Sequence, residues 1–212
     1  MSQIQFYLVD VETTGITNEH EMHELSIIRY KDRVQLSETI KCEHPENASY
    51  DALKICNKTI DDLDKGNTKE FVIEKVDKFL FEDGLTSAHR CFIAHNSNFD
   101  KRFMHAIYNK VGKKCPVDLW ACTMAMTRFY AKKIGIVKPK VNLHAACDIL
   151  EIRKIAEKHT SKSDVRNTYL LWKNLIEVRN IDYLPFIKNT PHSPIISESE
   201  DDSNLDPDLL DF

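Results

Sequence analysis

Residues 3 to 9, QIQFYLV, are rich in apolar and aromatic side chains and read as a buried strand, and they run straight into two acids, Asp10 and Glu12. Side chains of a strand alternate between its faces, so acids two apart point the same way. A core strand that ends on two carboxylates of one face needs something to offset their repulsion. Two further acids stand in short polar segments downstream: Asp100 closes IAHNSNFD (93 to 100), and Asp164 lies in KHTSKSDV (158 to 165) behind His159. Four carboxylates brought together resist ionising, and proteins gather them mainly to hold hard divalent cations, which take oxygen ligands. The set points to metal-dependent phosphoryl transfer. Each spacing alone is weak, since a D-x-E or H-x4-D pattern arises by chance about once in a chain this long. The order and local context carry the information.

The rest of the chain supplies a scaffold for such a site. Residues 24 to 30 and 33 to 40 predict two more short strands, joined by a tight Lys31-Asp32 connection. Short helices are expected over 49–56 and 59–64, and Thr68 is placed to cap a helix with Phe71, Val72, Val76, Phe79 and Leu80 on one apolar face. Residues 91 to 94 predict a strand, followed by a helix from Ser97 to Val111 that Gly112 would terminate, which puts Asp100 in its first turn. VDLWACT (117 to 123) predicts a buried strand leading into a helix, and 143–150 and 163–178 predict later helices. A meander followed by alternating strands and helices indicates a layered α/β domain.

Composition narrows the class. The chain has 212 residues, 42% hydrophobic and 29% charged, as in an ordinary globular protein with one core. No apolar run reaches membrane-helix length, and MSQIQFYLVD has neither a basic start nor a cleavage site, so an intracellular, cytoplasmic protein with no membrane partner is expected. Six cysteines form no CxxC pair and no zinc-ligand pattern; reduced, mostly buried thiols are expected. The formal charge of −4 is concentrated at one end, because the last sixteen residues hold seven acids and no base.

DVETTG (10 to 15), AHNSNFD (94 to 100) and H-TSKS-D (159 to 164) resemble the three motifs of the DnaQ-like 3′-to-5′ exonucleases of the DEDDh group. The resemblance covers roughly residues 4 to 180, including HPENASYDALKICNKTIDDL (44 to 63), and WACTMAMTRF (120 to 129) looks more like exonuclease X than like the proofreading epsilon subunit. It implies a ribonuclease H-like mixed, twisted sheet flanked by helices, with one exonuclease domain expected over residues 1–188; the prolines, serines and acids of 189–212 themselves predict a flexible acidic tail. It also implies two Mg²⁺ or Mn²⁺ ions held by Asp10, Glu12, Asp100 and Asp164, with Asp10 between them, and His159 as general base. Thr13 and Thr14 would lie against the 3′-terminal nucleotide and Asn96 near the scissile end, with a strand-end turn and a helix cap as the alternatives. Phe103 would serve the core and also offer a stacking face. The implied activity is hydrolysis of a nucleic acid from its 3′ end, DNA favoured, in replication or repair; exoribonucleases of the ribonuclease T and oligoribonuclease type and a non-catalytic docking protein are the alternatives.

Three features remain outside the motif set. Thr160, Ser161, Lys162, Ser163 and Val165 depart from the small apolar residues common around the last motif, and Lys162 is expected to face solvent. Basic residues gather at Lys110, Lys113 and Lys114 and again at Arg128, Lys132, Lys133, Lys138 and Lys140, either as solvated faces or as a path for a phosphate backbone. The tail SESEDDSNLDPDLLDF (197 to 212) joins an acidic run to Leu209, Leu210 and Phe212, which suits an anchor for a replication protein as well as a solvated end.

Overall fold

A computed structural model describes residues 4–155 and 160–192. The chain opens with three antiparallel strands, β1 (Gln5–Thr13), β2 (Met22–Arg29) and β3 (Gln35–Thr39). Helices α1 (Tyr50–Cys56), α2 (Ile60–Leu63) and α3 (Lys69–Phe81) follow. Strand β4 (Arg90–Ala94), helix α4 (Ser97–Lys110), strand β5 (Leu119–Cys122) and helix α5 (Thr123–Lys133) make the alternating part. Helices α6 (Leu143–Ile149) and α7 (Ser161–Lys173) and a short strand β6 (Ile187–Asn189) complete it. The six strands lie in the order β3-β2-β1-β4-β5-β6, with β4 parallel to β1, β5 parallel to β4 and β6 antiparallel to β5. This is the layered α/β domain expected, with β1 near the centre of a mixed sheet.

Alternation along β1 divides the core in two. Tyr7, Val9 and Val11 face a layer built by α3 and α4 with Val72, Val76, Leu80, Met104 and Ile107. Leu8 faces the other layer, where Met126, Cys147, Val165, Leu171 and Trp172 come from α5, α6 and α7. Side chains two apart share a face, so Asp10 and Glu12 continue the Leu8 row and turn toward α7. Among the described residues no helix is long and apolar enough to cross a membrane, and the six cysteines are free, five of them buried.

Most expected elements are found close to their expected bounds. Thr68 caps α3 by accepting from the Phe71 N–H at 3.3 Å, and Gly112 takes φ 65° just beyond α4. Three differences have physical causes. Strand β1 continues through Thr13, because its pairing with β2 runs past the acids, so Asp10 and Glu12 lie within the strand and not after it. Phe71 is 46% exposed and leaves the predicted apolar face of α3; it sits in the first turn, with the Lys75 ammonium 4.9 Å above its ring. Strand β6, only three residues long, has no periodicity to betray it. Beyond β6 the Thr190 N–H donates to Asp118 O at 2.8 Å, and the Cys115 N–H donates to His192 Nδ1 at 2.9 Å. The acidic remainder, 193–212, lies outside the described residues.

Candidate active site

The acidic centre is made where the middle of the sheet meets the start of α7. Asp10 and Glu12 project from β1, and Asp164 stands in the first turn of α7. One carboxylate oxygen from each lies within 4.8 Å of the others. The departure from the family pattern in the last motif explains how α7 is fastened there. Thr160 caps the helix, accepting from the Ser163 N–H at 3.3 Å, and the buried Ser161 hydroxyl is 2.9 Å from that of Ser26 on β2. The Ser26 hydroxyl in turn lies 2.8 Å from Ser37 on β3. Hydroxyls stitch the helix to the sheet. Lys162 is exposed, as expected.

Asp100 approaches Asp10 from α4 but is not among the three acids whose oxygens converge within 4.8 Å. It is 3% exposed and accepts from the Val11 backbone N–H, between the two β1 acids. The Asn96 backbone, in the left-handed region at φ 76°, turns the chain sharply from β4 into α4. Burial pushes the Asp10 and Asp100 carboxyls well up, and for Asp10 the strongest charge acting in the same direction is Asp100. Burial likewise pushes Glu12 up to about 7, reinforced by Asp164 and Glu24 and opposed by Cys56 and Lys58. Repulsion of this kind is what a bound cation relieves.

Two members of the site escaped the sequence. Glu24 pairs across the strands with Glu12 and is 8% exposed, with the Lys58 ammonium 2.9 Å from its Oε1. The Cys56 thiol donates to Glu12 Oε2 at 3.2 Å, and burial pushes its pKa up, so the group stays a donor. Glu24 sits in a predicted strand and Cys56 in a predicted helix, where nothing separates them from ordinary surface or core residues. Only the β1–β2 register brings Glu24 in.

The remaining candidates take structural parts in this structure. Thr13 Oγ1 donates to Gly15 O at 2.7 Å, and the Thr14 hydroxyl accepts from the Glu21 N–H at 2.9 Å; both residues are buried and shape the turn beyond β1. Gly15 serves close approach, since a Cβ there would stand 2.2 Å from the His20 ring. Phe103 takes the core part expected of it: it is 4% exposed, with the Arg102 guanidinium 4.9 Å from its centroid. His95 is structural, held between Thr123 Oγ1 at 2.9 Å and Val141 O at 2.7 Å, with burial lowering its pKa to about 4. His159, with residues 156–158, lies outside the described residues.

An all-oxygen, carboxylate donor set suits a divalent cation. Fold and site together define a layered α/β protein, a six-stranded mixed sheet flanked by helices, whose central strand carries a carboxylate cluster suited to a metal ion. The exonuclease family model of the RNase T type matches residues 8–172, and the chain belongs to this family. The resemblance to the DnaQ-like DEDDh exonucleases is thereby borne out, and the protein is an exonuclease by family. No curated protein matches the sequence. Solved structures share the fold at low identity. Cell-death related nuclease 4 aligns with TM-score 0.70 at 12% identity, covering 84% of this chain and 65% of that one. The nuclease domain of 3′hExo, a DEDDh family member bound to rAMP, aligns with TM-score 0.66 at 13% identity over 91% and 98%. E. coli Exonuclease I in complex with a dT13 oligonucleotide aligns with TM-score 0.67 at 16% identity over 84% and 42%. The chain thus spans less than two-thirds of cell-death related nuclease 4 and under half of Exonuclease I.

Proposed function

We propose that this chain is a divalent-metal-dependent 3′-to-5′ exonuclease that releases nucleoside 5′-monophosphates, with DNA as the favoured substrate. The convergence of Asp10, Glu12 and Asp164 within 4.8 Å, with Asp100 beside Asp10, carries the reading. These four would hold two Mg²⁺ or Mn²⁺ ions, Asp10 shared between them. When bound, such ions lower the pKa of a water and stabilise the charge on attacking and leaving oxygens. His159 would take the proton of the attacking water, a task suited to an imidazole whose pKa lies near neutrality. Thr13, Thr14 and the Asn96 turn line the exit of β1 and the entry of α4, and would set the terminal nucleotide through backbone groups. Ligands in the related structures support a nucleic-acid substrate: dT13 on Exonuclease I and rAMP on 3′hExo. The basic residues Arg128, Lys132, Lys133, Lys138 and Lys140 supply phosphate contacts for the incoming strand without selecting bases. The tail 197–212 would serve a replication protein, its acids steering and its last apolar residues anchoring.

The test is a gel assay on 5′-labelled single-stranded DNA, duplex DNA and RNA. Shortening from the 3′ end is expected in Mg²⁺ and silence in EDTA. Asp164→Ala should lose activity by several orders of magnitude, and His159→Ala roughly 10²- to 10⁴-fold in kcat with substrate affinity kept. Full activity in chelator would refute the metal centre, and a preference for the RNA ladder would move the substrate to RNA.

A further inference from the structure

Helix α1 is fixed at both ends to the strands that carry the acids. At its start the Ser49 N–H donates to Thr14 O at 2.7 Å, just past β1, while the Ser49 side chain caps the helix by accepting from the Ala52 N–H at 3.1 Å. At its end Asn57 adopts the left-handed region at φ 52°, a conformation that closes the helix and reverses the chain. Two donors flank that reversal and both reach acids. The Cys56 thiol meets Glu12 Oε2 at 3.2 Å, and the Lys58 ammonium meets Glu24 Oε1 at 2.9 Å. Glu12 and Glu24 are themselves opposite one another in the β1–β2 register. One short helix terminus therefore places a neutral donor on the acid that belongs to the metal centre and a charged donor on its neighbour. The distribution matters: an ammonium on Glu12 would compete with a cation, whereas a thiol holds the carboxylate and leaves its charge and remaining lone pairs available.

We propose that Cys56 is a positioning residue for the metal centre, its thiol hydrogen bond arresting the Glu12 side chain in the rotamer that presents it beside Asp10 and Asp164. A glutamate has three rotatable bonds, and a ligand that must be ordered on binding costs affinity that a pre-ordered one does not. Groups that hold a ligand from behind commonly change metal affinity by 10- to 100-fold when removed. The inference rests on the metal-centre reading above and goes beyond it in naming a residue outside the three motifs.

The experiment measures metal binding without nucleic acid, by calorimetric titration of Mn²⁺ and Mg²⁺ into Cys56→Val, Cys56→Ala and Cys56→Ser. Valine keeps the apolar volume and removes the donor; serine keeps a donor. Valine and alanine should raise the metal Kd about 10-fold, whereas serine should stay within about 3-fold of the wild type. The Mg²⁺ concentration for half-maximal hydrolysis should shift in step, with kcat at saturating metal nearly unchanged. A purely structural thiol would instead lower the melting temperature of the alanine variant and leave all affinities equal, and that result overturns the proposal. If valine does not fold, the alanine and serine pair decides alone. An affinity order of serine above alanine in a protein that trims no nucleic acid would leave Cys56 in its role and remove the proposed function. Equal affinities with hydrolysis intact would do the reverse, and a wild type that binds neither ion would remove both.

Discussion

At the residue scale, the folded chain presses like charges together. Burial, Asp164 and Glu24 raise the Glu12 carboxyl to about 7, well above the value of about 4.3 for a free glutamate. Between those two values the folded state holds a proton that the unfolded state has lost, so metal-free stability from this group falls as pH rises. The melting temperature of wild type in EDTA should therefore drop relative to Glu12→Gln between pH 5 and 7.5, and Mg²⁺ should abolish the difference. Parallel melting curves for the two proteins would show that the repulsion is not expressed. The cluster of Asp10, Glu12 and Asp164 was legible because local motifs carry the acids in a fixed order. Glu24 and Cys56 were not, since each depends on a register or a helix ending that no nearby residue announces. Phe103 was legible as a core residue of its helix, and the Arg102 guanidinium lies over its ring.

Elements were easier to read than their ends. The period-two row of β1 and the apolar stripes of α3 and α4 predict themselves, and Gly112 and Thr68 mark their helix boundaries. The termination of β1 depends instead on how far β2 continues to pair, a tertiary fact. Helix α7 shows what the polar run in the last motif accomplishes. Its Asp164 is aimed by a cap at Thr160 and by the Ser161–Ser26 contact, both at the end of the helix that faces the site. Thr160→Ala should cost about 0.5–2 kcal/mol, the usual worth of an N-cap side chain. For a domain of this size each kcal/mol lowers the melting temperature by about 2–4 °C. The same change should weaken Mg²⁺ binding, since the first turn of α7 carries a ligand. A variant that melts lower but binds Mg²⁺ as wild type does would separate the cap from the site.

In the whole molecule, the sheet order places β1 between β2 and β4 with a core cluster on each face, and the layered class followed from the succession of strands and helices along the chain. The closing strand β6 did not, because three residues paired to β5 are recognisable only once β5 is in place. The position of β1 has a consequence for how the protein fails. Proteins open in stages, edges and termini before the centre, and functional loops usually belong to the parts that open early. Here Asp10 and Glu12 are carried by a strand that pairs with β4 over Gln5–Leu8 and with β2 over Tyr7–Thr13, so the acids stay paired to β2 and are continuous with the most enclosed part of the sheet. Warming should fray β3 and β6 while the acidic pair keeps its geometry, so cation binding by these residues and global unfolding should be lost at one temperature. Hydrogen exchange that is slowest in β1 around Tyr7 and Leu8, where both neighbours pair, and a metal-binding transition coincident with the calorimetric one would together record a site whose lifetime is that of the fold itself.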